Sequence, residues 1–205
     1  MKRTVLAILA TLLTMAATSF AATSANSTNS VSPTLQVSAN VVSVVQLTLT
    51  QGTSGTACGL GTPGATDYQM DFGTVDGMAI SNGSCGQKFT PAQTGTDAIY
   101  YTDYQLTPVF ASQPSAANPQ ITAYVSTPFA VANLKIVHNG NSGAAPAANG
   151  FSAMSTNNLA QNTIANAVAS GTALTRYIGV DVANTNGAGL TGAQSATVTF
   201  TLTVN

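Results

Sequence analysis

Charge is what this sequence has least of. Its 205 residues include five Lys or Arg, six Asp, no Glu, one His and no Trp. Charged residues make up 5% of the chain, against about 25% in ordinary soluble proteins. So few cations exclude a basic surface for nucleic acid, which needs Lys and Arg clustered against phosphates. The single imidazole, His138, also removes most hydrolase and metal constellations, which bring an acid, a base or several ligands together. Glycosidases use paired carboxylates, and no pairing is marked among the six Asp. No catalytic residue, cofactor site or metal site is therefore assigned, and an enzyme is only the third reading.

Some local patterns imitate chemistry. Asp71-Phe72-Gly73 matches three letters of a kinase motif without the nucleotide loop or catalytic loop that would give it meaning. Asp67, Asp71 and Asp76 supply oxygens of the kind calcium takes, but their spacing fits no EF-hand loop, so they read as turn formers. Asn26-Ser27-Thr28 is a glycosylation sequon only in a eukaryotic secretory route. His138 precedes Asn139-Gly140 and reads as an exposed residue at a strand end.

What is present begins with an export signal. Met1-Lys2-Arg3 is basic, Thr4 to Ala17 is uncharged and apolar, and Thr18-Ser19-Phe20-Ala21-Ala22 offers small residues for cleavage. That order is the secretory pattern, with residues 1–21 as the signal peptide. The apolar run is shorter than the ~20 residues a bilayer span requires, so the mature chain is expected to have no membrane span. The expected location is secreted, extracellular or cell-surface, with the bacterial periplasm in transit.

After cleavage, Lys88, Lys135 and Arg176 face Asp67, Asp71, Asp76, Asp97, Asp103 and Asp181, a formal balance of −3. Little charge remains to hold neighbouring molecules apart. Cys58 and Cys85 are the two cysteines. In an oxidising compartment they are expected to form one disulfide, with metal binding the alternative. Closing that loop would contribute about 3.5 kcal/mol in the chain-entropy view.

Residues 22–34 are small and polar and are expected to form a flexible arm. From 35 onward the period is two: Leu35, Val37, Ala39, Val41, Val45, Leu47 and Leu49 share one face. Fifteen residues is long for one strand, and Asn40 suggests two strands or one bent strand. Further strands are predicted around Tyr68–Phe72, Tyr100–Phe110, Ile121–Val125, Leu134–His138, Ile178–Val182 and Ala196–Val204, with Gly, Asn and Pro turns between them. Leu159–Ala169 is the best helical candidate, yet it lacks an apolar stripe. The expected fold is all-β, a single antiparallel β-sandwich over 35–205, Ig-like or jelly-roll-like.

Leu35–Thr50, Asp71-Phe72-Gly73-Thr74-Val75 and Ala196–Val204 together resemble secreted bacterial fimbrial subunits and the related spore coat protein U domain. The chain differs in placing its first Cys after the initial strands and in ending Val204-Asn205 without a near-terminal Tyr. The resemblance implies an incomplete sandwich, completed by a strand donated from the next subunit, and hence self-association into a filament with an assembly chaperone as a further partner. Here Leu35, Val37, Ala39 and Val41 would be donated, reached through the 22–34 arm. The same residues could equally open a self-contained monomer. The alternative function is a monomeric carbohydrate-binding or adhesive module, with Tyr68, Tyr100, Tyr101, Tyr104, Tyr124 and Tyr177 as stacking faces.

Overall fold

A computed structural model describes residues 45–54, 58, 69–84, 87–111, 118–185 and 192–204, all within the compact unit Ser43–Asn205. The signal, the arm, the donor residues Leu35, Val37, Ala39 and Val41, and also Asp67, Tyr68 and Cys85, lie outside the described residues. No helix among the described residues is long and apolar enough to cross a membrane.

The fold is all-β and antiparallel, as expected. Its strands are β1 (Val45–Gln51), β2 (Lys88–Phe89), β3 (Ala98–Phe110), β4 (Gln120–Thr127), β5 (Leu134–His138), β6 (Ser152–Ala153), β7 (Asn162–Ala165), β8 (Leu174–Val182) and β9 (Thr197–Thr203). One short helix, α1 (Pro91–Thr94), precedes β3, with Pro in its first turn and a left-handed Gly95 ending it, as helix ends favour. Strands β1-β3-β8-β5-β6 form the larger sheet, with β2 also on β3, and β7-β4-β9 form the smaller one.

The alternation read from the sequence is what closes the two sheets on each other. Along β3, Tyr104 and Leu106 point to the core, as Ile178 does from β8. Ile121, Ala123 and Val125 of β4 and Ile164 of β7 meet them from the smaller sheet. Leu106, Ile121 and Ile164 are fully buried, each contributing about 1.5–3 kcal/mol of transfer free energy. A second cluster, Ala79, Ala98, Tyr100, Val180 and Val182, fills the other end of the larger sheet.

The outer face of the larger sheet is also partly covered. Asp103 there is buried and accepts hydrogen bonds from the Ser54 backbone N–H, at 3.0 Å, and from the Ser54 hydroxyl. Beside it, Tyr101 stacks on Phe89 with centroids 4.8 Å apart, and Phe151 lies 5.4 Å away on Tyr101. Gly179 is opposite Tyr101 in the β3–β8 register. A Cβ there would come within 2.6 Å of the Tyr100 carbonyl oxygen, so only glycine fits.

Several expectations change. Tyr68–Phe72 is not a strand over its described part: Met70 makes only an isolated bridge. Leu159–Ala169, where the sequence shows no convincing helix period, contains β7. The reason is that Ile164 and Ala165 are both needed by the core, adjacent positions that a four-residue strand with a bulge opposite Ile121 and Thr122 can deliver. His138 is not exposed but 5% accessible, because its strand pairs it with inward-facing Ile178.

Candidate functional site

The larger sheet ends on β1 and the smaller sheet on β9, and these two edge strands approach one another across the opening of the sandwich. β1 uses one edge to pair with β3, setting Leu47 against Pro108 and Leu49 against Leu106. β9 uses one edge to pair with β4, setting Leu202 against Ile121 and Phe200 against Ala123. Among the described residues, the opposite edge of each strand has no strand partner. Such an edge is a row of backbone donors and acceptors ready to pair with another chain.

The side chains along this opening are apolar and incompletely covered. Leu47 and Leu49 of β1 and Val198, Phe200 and Leu202 of β9 pack against the core yet are only partly buried. Val45, at the start of β1, is 55% exposed. The Phe200 ring lies 5.7 Å from that of buried Tyr104, so the row continues directly into the interior. β1 reads VQLTLTQ and β9 reads TVTFTLT; neither carries a charge or a Pro, residues that often blunt exposed edges.

Dimensions match the donor expected from the sequence. Each edge strand is seven residues long, and the segment 35–41 also has seven. At about 3.3 Å per residue, alternate side chains fall roughly 6.6 Å apart on one face. Leu35, Val37, Ala39 and Val41 have the spacing of the apolar row on β9. Sequence reasoning named a candidate donor but did not single out the two edge strands. Neither alternation nor lack of charge says which strands are edges, since the central strand β4, QITAYVST, is uncharged as well.

Other residues singled out from the sequence are accounted for by structure. Asp71 accepts a hydrogen bond from the Gly73 N–H at 2.7 Å. Asp76 accepts from the N–H groups of Met78, Ile80 and Ser81. Burial pushes the Asp76 carboxyl up, but those backbone donors outweigh it and hold it well below the usual carboxylate range. Both Asp therefore organise turns. Cys58 is buried, its N–H donating to the Thr102 hydroxyl at 2.8 Å.

The Tyr platform expected of a sugar-binding module is not assembled as read from the sequence. Tyr100 and Tyr104 are each 1% exposed, because their even positions on β3 face the core. Tyr101 faces outward but its ring is engaged by Phe89 and Phe151. Tyr124 and Tyr177 are half-buried.

A buried cation was not anticipated. Arg176 projects inward from β8 and is 9% exposed. Its Nε donates to the Ile164 carbonyl oxygen of β7 at 2.6 Å and Nη1 to the Thr175 carbonyl oxygen at 2.6 Å. It thus joins the two sheets through main-chain acceptors. Burial lowers its pKa, and the neighbouring Tyr104 hydroxyl pushes the other way.

No family model matches the chain, and comparison with curated proteins gives no match. Among solved structures, the chain is similar to the CupB6 tip adhesin from Pseudomonas aeruginosa, with a TM-score of 0.39 and 13% identity. The alignment covers 80% of this chain and 45% of that one, so this chain spans less than half the length of the structure it resembles.

Proposed function

We propose that this protein is a structural subunit of an extracellular fibre, pilus or surface coat, assembling by β-strand donation. The observation that carries this reading is the opening between β1 and β9: two uncharged seven-residue strands flanking a half-covered apolar row. A strand inserted there would pair main chain to main chain, while its alternate side chains complete the core. Leu35, Val37, Ala39 and Val41 of a second copy are the donated residues, and the 22–34 arm is the tether. A contact in which one copy's start enters another's opening is head-to-tail and does not close on itself, so it propagates as a filament. Export by the signal at 1–21 and a Cys58–Cys85 bridge belong to the same reading. Mass measurement of the oxidised chain with and without reductant tests the bridge.

Negative-stain electron microscopy of residues 22–205, purified under oxidising conditions, tests the assembly. Filaments are expected from this chain, and a soluble, less stable β domain from the chain lacking residues 22–41. Filaments that survive the deletion would sink the proposal.

A further inference from the structure

His138, Asn139 and Gly140 form the exit from β5. The Gly140 N–H donates to His138 Nδ1 at 2.9 Å. A nitrogen that accepts carries no proton, so the imidazole is neutral with its proton on Nε2. That Nε2 is buried and has no hydrogen-bond partner among the described residues. Burial also lowers the imidazole pKa, keeping it in its basic form at neutral pH. On the same inner face, β8 presents Ile178 opposite His138 and, two residues away, the cationic Arg176; β6 presents Ser152. These neighbours include no carboxylate that would favour imidazolium.

An unprotonated base therefore rests on the proton of the one backbone nitrogen that can close a ring onto the Asn139 side chain. Gly140 has no Cβ to obstruct that closure and holds φ at +56°. The Asn139 amide is itself positioned, its Nδ2 donating to the Ala144 carbonyl oxygen at 3.3 Å. The chain contains a comparison pair in Asn149-Gly150. There the Gly150 N–H is held by the Ala147 carbonyl oxygen at 2.9 Å, an acceptor far too weak to take its proton.

We propose that Asn139 is a self-modification site, with His138 as the general base for its deamidation. The Gly140 nitrogen attacks Asn139 Cγ, forming a C–N bond as its proton passes to His138 Nδ1. The Cγ–Nδ2 bond then breaks, and the proton returned from the imidazole leaves with that nitrogen as ammonia. Water adds to either carbonyl of the resulting succinimide and opens it to Asp or isoaspartate. Nothing is oxidised or reduced, and water is the sole co-reactant.

The test is peptide mass mapping, with isoaspartate detection, of the mature chain aged across about pH 5 to 9. Asn139 is expected to convert about a hundredfold faster than Asn149, the low end for general-base assistance. Its rate should level off once the imidazole is fully unprotonated, whereas the Asn149 rate should keep climbing with hydroxide. His138→Phe should slow Asn139 about a hundredfold and leave Asn149 unchanged. Equal rates at the two sites, or an Asn139 rate that climbs with hydroxide throughout, would overturn the proposal. Should His138→Phe fail to fold, the pH profile of the native chain decides alone.

Discussion

Phe200 on β9 and Tyr104 on β3 face each other across the two sheets, ring centroids 5.7 Å apart and planes inclined by 58°. Tyr104 is 1% exposed and Phe200 only partly buried, so the pair runs from the sealed interior to the open edge. Tilted aromatic pairs contribute about 0.5–1.5 kcal/mol beyond their buried area. Phe200→Ala is therefore expected to lower unfolding free energy by about 2–3 kcal/mol, near the low end for aromatic truncation because the ring is half-covered. Urea titration followed by circular dichroism measures it.

Leu202→Lys places a charge in the apolar row, opposite buried Ile121 in the β4 pairing. If the opening accepts a strand, this variant should remain folded and lose filaments, as an inward charge protects natural edges. Electron microscopy and a melting curve on the same sample separate the two effects. A folded variant that still forms filaments would remove β9 from the assembly contact.

Gly179→Val sets a side chain against the Tyr100 carbonyl oxygen and the Tyr101 Cβ. Backbone must move to admit it, which typically costs about 1–3 kcal/mol for overpacking. Because Tyr101 is stacked on Phe89, the same variant should change the near-ultraviolet circular dichroism of the aromatic cluster. An unchanged spectrum with unchanged stability would show that Tyr101 does not depend on the glycine beneath it.

Arg176→Ala leaves the Ile164 and Thr175 carbonyl oxygens without their donor in the core. An unsatisfied buried acceptor costs about 1–3 kcal/mol, and the lost packing of the long side chain adds to it. Arg176→Met, which restores the packing alone, should recover part of the loss. Chemical denaturation of the two variants side by side checks the order.

Acid should destabilise the fold through His138. Burial depresses its folded pKa, so below the ordinary imidazole value of about 6.5 the unfolded chain takes up a proton that the folded chain resists. Stability is thus full above that value and declines as pH falls from it towards the folded pKa. Protonation also abolishes the acceptor for the Gly140 N–H. Melting temperature should drop between about pH 7 and pH 5, and His138→Gln should flatten that slope. Asp181 has the opposite sign: burial first, then Asp97, raise its pKa, with Lys135 opposing. Its contribution is present below the unfolded carboxylate value of 3.8 and is lost as pH rises through the raised one.

The sequence carried the long strands well because each has two distinct faces. The alternations at Ile121–Val125, Leu134–His138 and Ile178–Val182 all lie in observed strands, and Thr-apolar alternation marked β9. Short elements escaped. The two-residue β2 and β6 contain no full period, and β7 hid in an Asn-rich stretch whose core residues Ile164 and Ala165 are adjacent. His138 was misjudged, and the burial of Arg176 not foreseen, for a related reason. Each is polar but stands at an inward position of its strand, and composition carries less information than register there. The edge positions of β1 and β9 were illegible because being last in a sheet is decided by which strands pair, a long-range property that one strand's residues do not encode.

The uncharged faces of β1 and β9 have a consequence for how the proposed assembly would respond to its surroundings. A contact made of main-chain hydrogen bonds and apolar side chains gains little from Coulomb attraction and loses little to screening. If copies join by the proposed strand donation, screening by added salt should therefore weaken their contact little. Such a fibre would hold together in media whose salt content varies widely, where an assembly built on ion pairs would loosen.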